Sequence, residues 1–331
     1  MAFARGIAPA TAAPADMALA GRIAYDAGFL PGAAMSRTVT ILLLLNGLVL
    51  ASHTLLARQA SLAGVAPLVY ALVSAAGAAT FLGLYRTARP TGAGISRRVA
   101  LYGLVAGFVS IALPQVLIYS ASAYVSAGIA SLAYAFPTPL TYVLATLFGI
   151  ERASAGRTLG VGIAFAGAIG LAVSRSAAVS GDALWIVLAM LSPISIAFGN
   201  IYRSRYWPPG SQPLDLAFAM SLAASLWLTL ALLVMIVAGG RLPAIAPTGY
   251  GFLAAAAVVA AIGNVIYFEL QRSGGIVSFS QIGYVGAVLG LLGGAFLLGE
   301  RYAASTWIAA LVIAAGVAIS EVLKRRAAGN P

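Results

Sequence analysis

The segment from Pro114 to Arg175 recurs 149 positions later without a gap. Gln115 falls on Asn264, Val116 on Val265, Tyr119 on Phe268 and Ser131 on Ser280. Glu151-Arg152 falls on Glu300-Arg301, Gly167 on Gly316 and Arg175 on Lys324. Each copy holds three apolar stretches and two more precede it, so the unit is five spans. An odd number of crossings turns the second unit upside down in the bilayer relative to the first. Inverted repeats of this kind are an architecture of secondary transporters, with the substrate site near the midplane where the repeats meet.

The composition demands lipid as the solvent. Hydrophobic residues make up 61% of the chain and charged residues 8%, against roughly 25% charged in soluble domains. Mean hydropathy is +0.98. A pI near 10.3 invites a nucleic-acid reading. The positive charges, however, lie in turns between apolar runs and make no basic face, so no nucleic-acid partner is expected. Cysteine is absent, which excludes disulfides, thiolate nucleophiles and cysteine metal sites.

A membrane-spanning helix needs about 20 predominantly apolar residues. On that scale the sequence predicts an all-α integral membrane protein with ten transmembrane helices. They fall near 38–57, 66–85, 99–119, 127–148, 158–174, 183–202, 214–238, 249–270, 276–298 and 304–323. The domain reading is a first five-helix repeat over 36–176, a second over 177–326 and a short tail over 327–331. Residues 1–35, rich in Ala, Gly and Pro, read as a disordered extension or as sequence upstream of a true start at Met35. Of nineteen basic residues, four (Arg58, Arg175, Arg241 and Arg301) fall on one side of the ten-span scheme. The other fifteen fall on the side of both termini, which the positive-inside rule places in the cytoplasm of a bacterial inner-membrane protein.

Ionisable groups at membrane depth mark function by default. All eight acids lie outside the predicted spans or at their ends, so no buried acidic pair is available for proton or sodium coupling. The sole histidine, His53, falls toward the outer end of span 1; its unperturbed pKa of about 6.5 suits a sensor or a carrier of protons. Neutral helix glue is the alternative for His53. Gln115 and Tyr119 stand four apart on span 3, and Asn264 and Tyr267 hold the matching level of span 8. Asn46 and His53 share a face of span 1. Tyr134 with Thr138 and Tyr142 stacks on span 4, and Gln281 with Tyr284 on span 9. Single Ser or Thr residues in such places are commonly interhelical glue. Amides and tyrosines at corresponding levels of both repeats read instead as the lining of a substrate cavity. With no Arg or Lys expected at mid-span, the lining suits a zwitterionic or neutral metabolite with an apolar or aromatic side chain, its carboxylate taken by helix dipole ends. Pro137, Pro139 and Pro193 should bend spans 4 and 6, and Gly286, Gly290 and Gly294 form a close-packing stripe on span 9.

These residues carry a family resemblance. Tyr119-Ser-Ala-Ser-Ala-Tyr-Val-Ser-Ala-Gly128, then Pro137 and Gly149-Ile-Glu-Arg152, resembles the EamA repeat of the drug/metabolite transporter superfamily. The second copy, ending Leu298-Gly-Glu-Arg301 before Gly316, resembles the same repeat, and the two cover about residues 37–324. Overall the chain is most similar to the YddG-type aromatic amino-acid exporters of that superfamily. The resemblance implies ten helices in two inverted repeats, cytoplasmic termini, a central cavity and export of amino acids and related metabolites. The wider family often has a basic residue where Ser74 stands, and its absence argues against a strongly anionic substrate. The Gly-Glu-Arg acids Glu151 and Glu300 read as helix caps.

The expectation is therefore a monomeric, cofactor-free carrier for a small zwitterionic molecule in a lipid bilayer. A cationic multidrug exporter would want a buried acid. An intramembrane enzyme would want paired acids, metal ligands or a framed Ser–His pair, and the sequence offers none of these. A membrane receptor or scaffold has no need of inverted repeats.

Overall fold

A computed structural model describes residues 37–88, 95–149, 153, 155–176, 182–280 and 282–328, and these are helical with short turns and no strand. The helices are α1 (Arg37–Leu62), α2 (Pro67–Ala88), α3 (Arg97–Tyr124), α4 (Ala127–Leu147) and α5 (Ala155–Ser176). After them come α6 (Asp182–Arg205), α7 (Pro213–Val237), α8 (Pro247–Ser280), α9 (Ile282–Leu297) and α10 (Ala304–Ala328). Among the described residues seven are long and apolar enough to cross a bilayer: α1 to α4 and α6 to α8. The apolar stretches of α5, α9 and α10 are shorter, at Thr158–Gly167, Ile282–Leu297 and Ala304–Ser320. The chain is thus an all-helical, multi-pass membrane protein.

Proline explains both irregular helices. Pro114 has no N–H for the carbonyl of Ser110, and its ring crowds that carbonyl. The turn before it widens into a π segment, Phe108–Ala112, where the Leu113 N–H reaches back to the Phe108 carbonyl. Ser195 of α6 donates to the freed Val109 carbonyl at 2.7 Å. In α4 the helix tightens to a 3₁₀ turn at Ala133–Ala135 and restarts with Pro137 as its first residue. Asn200 of α6 donates to the Thr141 hydroxyl at 3.0 Å, tying that restarted half to α6.

Two sequence expectations for helix ends change. Span 3, expected to end near 119, continues to Tyr124 and stops where Val125 leaves helical geometry. Ser126 then caps α4 by accepting the Ile129 N–H. Span 8 was expected to turn near 271–275, yet α8 runs to Ser280. The polar run Glu269–Ser273 reads as a turn only when hydropathy is the guide, because it contains no proline to stop a helix.

Between apolar helices in lipid, association rests on close van der Waals fit and small residues at the contact. α8 and α9 flank α1, and α3 and α4 flank α6. α7 packs on α2 and α3, α8 on α2, and α9 on α4. α5 and α10 pair mainly with each other. Their crossing is at backbone distance: a Cβ on Gly316 would sit 2.4 Å from the Ala164 nitrogen and 2.6 Å from the Gly160 carbonyl.

Candidate functional site: a cavity among eight helices

A cavity of about 390 Å³ lies between α1–α4 and α6–α9; α5 and α10 do not reach it. One end closes on aromatic side chains near the end of α3 and the start of α2. Tyr70 donates to the His53 carbonyl at 3.1 Å, and Tyr119 packs edge-on to Tyr70 with ring centroids 5.0 Å apart. The other end reaches Trp207 in the α6–α7 turn, which is 41% exposed.

Of the residues the sequence singled out, Asn46, His53, Gln115, Tyr134, Asn264 and Tyr267 line this cavity. Asn46 and Asn264 each donate to the carbonyl one turn back, at 3.0 and 2.8 Å. Tyr119 does not line it. It shares a face with Gln115, as the spacing required, but lies one turn deeper, beneath His53 at 6.2 Å between ring centroids. Tyr284 lines a different, apolar cavity of about 460 Å³ between α4, α9 and α10. Gln281 lies outside the described residues. The stack read on span 4 divides as well: Tyr134 and Thr138 line the cavity, whereas Tyr142 reaches the Thr158 hydroxyl of α5 at 3.2 Å.

The cavity also holds residues that sequence reasoning passed over, Arg203 above all. The expected span 6 ended at 202, which assigned Arg203 to a loop and left the cavity without a cation. α6 instead continues to Arg205, and Arg203 lines the cavity with Asn200 and Ile196 below it. Its Nη2 donates to Asn200 Oδ1 at 2.5 Å and its Nη1 to the Tyr267 hydroxyl at 3.3 Å. The i, i+4, i+7 spacing of Ile196, Asn200 and Arg203 was the available signal, since it puts all three on one helix face.

Buried polar atoms are nearly always hydrogen-bonded, so exceptions call for an explanation. Five residues that line the cavity each carry a buried side-chain atom without a partner: Ser74 Oγ, Tyr102 Oη, Ser110 Oγ, Gln115 Oε1 and Arg203 Nε. These residues come from α2, α3 and α6 and line one cavity. Each such atom costs about 1–3 kcal/mol while unmet, which water or a polar ligand recovers.

Beyond the aromatic floor, the face bearing the α1–α2, α3–α4, α7–α8 and α9–α10 turns is fastened across helices. Arg58 donates to the carbonyl of Ala123 at the end of α3. Glu300 accepts the Ala127 and Gly128 N–H groups at the start of α4, at 3.0 and 3.3 Å, and also the Tyr302 hydroxyl. Burial first, and then that bond to Glu300, push the Tyr302 hydroxyl well above the ordinary tyrosine range, so it stays a donor. The Ala246 N–H bonds the Ala63 carbonyl at 2.9 Å. On the opposite face Arg86 of α2 pairs with Asp215 of α7 at 2.5 Å.

Over 200 residues the chain is 32% identical to the inner membrane transporter YedA of Escherichia coli K12, itself described as uncharacterized. The match is the same for YedA of the O6:H1 and O157:H7 strains. It covers 59% of this chain and 62% of YedA, so the chain spans less than two thirds of the curated relatives it matches. No family model matches the sequence. A solved crystal structure superposes with a TM-score of 0.59 at 20% identity, covering 88% of this chain and 100% of its own. At that identity the likeness concerns the fold alone.

Proposed function

We propose that the chain is an inner-membrane transporter of the EamA type that exports zwitterionic, amphipathic metabolites, aromatic and bulky neutral amino acids first. The observation that carries this reading is one cavity enclosed by α1–α4 and α6–α9, lined by tyrosines and amides and by five residues that each carry an unpartnered polar atom. Tyrosines and amides supply stacking faces and hydrogen bonds for an aromatic side chain and its polar head. The similarity to YedA supports a membrane transporter without naming a substrate.

The architecture in this proposal is ten helices in two inverted halves, α1–α5 and α6–α10. It is supported by the main helix pairings, which map onto one another when each helix is exchanged for the one five places on. Thus α1 with α8 becomes α6 with α3, and α2 with α8 becomes α7 with α3. The contacts of α3 with α1 and α2, by contrast, have no comparable counterpart among the described residues of the second half. Transport is by alternating access, with the cavity open toward the α6–α7 turn and fastened at the Glu300 face. The basic asymmetry puts the α6–α7 turn in the cytoplasm with both termini. A reporter fused at Lys324 that is active only outside the cytoplasm would reverse that orientation. The carrier works as a monomer. A cationic multidrug substrate fits poorly because the cavity holds Arg203 and no carboxylate among the lining residues.

The test is a counterflow screen in proteoliposomes across the amino acids. Accelerated exchange of labelled phenylalanine, tryptophan or leucine, and none for glutamate or lysine, is the expected result. Absence of exchange for every amino acid would refute the reading.

A further inference from the structure

We propose that Arg203 is the anchor for the substrate's carboxylate, held ready by Asn200 and Tyr267. The assignment rests on the transport reading above and deepens it. An arginine in a cavity at a helix end is costly to bury unless its charge is met. Among the described residues it has no carboxylate partner; the ion pair there is Arg86 with Asp215, on other helices. Its two amino groups bond neutral acceptors only, Asn200 Oδ1 and the Tyr267 hydroxyl. Nε is buried with nothing to donate to. A guanidinium has five donors in a rigid fork that matches the two oxygens of a carboxylate. Two neighbours fix the plane of the fork while its Nε edge stays unused. The Tyr102 hydroxyl, also unpartnered and lining the same cavity, offers a further donor.

The position also gives a bound molecule a direction along the cavity. From Arg203 the cavity runs inward past Asn264 and Gln115 to Tyr134 and the His53–Tyr70–Tyr119 floor. A carboxylate held at Arg203 sends the side chain of an amino acid toward those aromatic rings.

The experiment compares acid and neutral forms of one ligand. Purified wild-type protein, R203Q, R203K and N200D are tested for thermal stabilisation by L-phenylalanine, L-phenylalaninamide, phenethylamine and inorganic phosphate. Counterflow is run in parallel with the best substrate of the amino-acid screen. Wild type should prefer the acid over its amide by about tenfold or more. R203Q should lose that preference while keeping its weak response to the amide, and R203K should keep part of it. N200D is the decisive variant. It leaves the arginine in place but supplies an internal carboxylate, so it too should erase the acid preference and remain folded. An R203Q or N200D protein that keeps the wild-type preference overturns the assignment. So does a wild type stabilised by inorganic phosphate and not by amino acids, or by none of the ligands. If wild type binds the acid with an Arg203-dependent preference but moves nothing, the transport reading fails and the anchor stands.

Discussion

Glu300→Gln tests whether the fastened face is what holds the cavity shut on that side. The carboxylate sits at the start of α4, accepts two of the N–H groups left unpaired there, and takes the Tyr302 hydroxyl as well. Glutamine keeps one acceptor oxygen and turns an amide NH₂ toward the remaining backbone donor. One hydrogen bond to a charged group, worth about 1.5–3 kcal/mol, is therefore lost. The favourable interaction of a negative charge with the helix N-terminus, about 0.3–1 kcal/mol, goes with it. Glu300 is only half-buried, so the low end applies, about 2 kcal/mol. At 1.4 kcal/mol per tenfold, the equilibrium between fastened and open states moves by roughly 30-fold. The natural chain has no cysteine, so a single Ala260→Cys in the cavity gives a clean reporter. Labelling by a membrane-impermeant maleimide is measured from each side of oriented vesicles. In E300Q, labelling from the Glu300 face should rise about tenfold or more, and Tyr302→Phe should give a smaller rise in the same direction. Unchanged labelling in a folded E300Q protein would refute the fastening role.

Gly316→Leu places a side chain against the Ala164 and Gly160 backbones, which cannot yield as a side chain tip would. It should cost about 1–3 kcal/mol and lower the melting temperature, whereas Gly162→Ala, with nothing within 4 Å, should be neutral or slightly stabilising in the same thermal assay. Gln115→Leu and Asn264→Leu each remove a cavity amide at matched levels. Each should weaken substrate half-saturation in counterflow by severalfold, about 1 kcal/mol, with expression and monodispersity retained. His53→Gln should preserve downhill flux, and an imposed pH gradient alone should not accumulate substrate in wild type, because the described cavity lining contains no acid. Proton-driven uphill uptake that disappears in His53→Gln would reverse that expectation.

The all-helical, membrane-spanning character of the fold was legible in the sequence because lipid leaves a chain few choices. Apolar length sets the spans, and proline and glycine mark the irregular turns. Pro137 was read as loosening span 4, and α4 is interrupted at the turn just before it. The polar residues repeated in both halves fell largely around one cavity for a similar reason, since amides at membrane depth need a polar neighbour. What hydropathy could not reveal was depth along a helix. Gln115 and Tyr119 share a face, yet only the three-dimensional stop made by His53 and Tyr70 decides that the cavity ends between them. Arg203 was hidden by the same blindness. A basic residue at the end of an apolar run scores as a loop, although three more residues of helix carry it into the cavity wall.

The repeat register makes a further point about how the two halves differ. Pro114 and Pro137 fall on Gly263 and Gly286 in the second copy. The prolines break α3 and α4, whereas α8 and α9 pass their glycines as regular helix. Those glycines are contact points. A Cβ on Gly263 would sit 2.6 Å from Val49, and one on Gly286 2.7 Å from Leu50, both on α1. Gly283, one turn before Gly286, lets α9 pass the Tyr134 carbonyl exposed by the α4 break, where a Cβ would come within 2.1 Å. Irregular backbone at membrane depth is tolerated where it is buried in protein or lines a water-filled cavity, and both breaks meet that condition. Proline writes these breaks into the first copy alone, so in the proposed alternating-access cycle the two halves differ in where the backbone is irregular. In that proposed cycle, an opening at the Glu300 face would rock intact helices over the glycine contacts on α1.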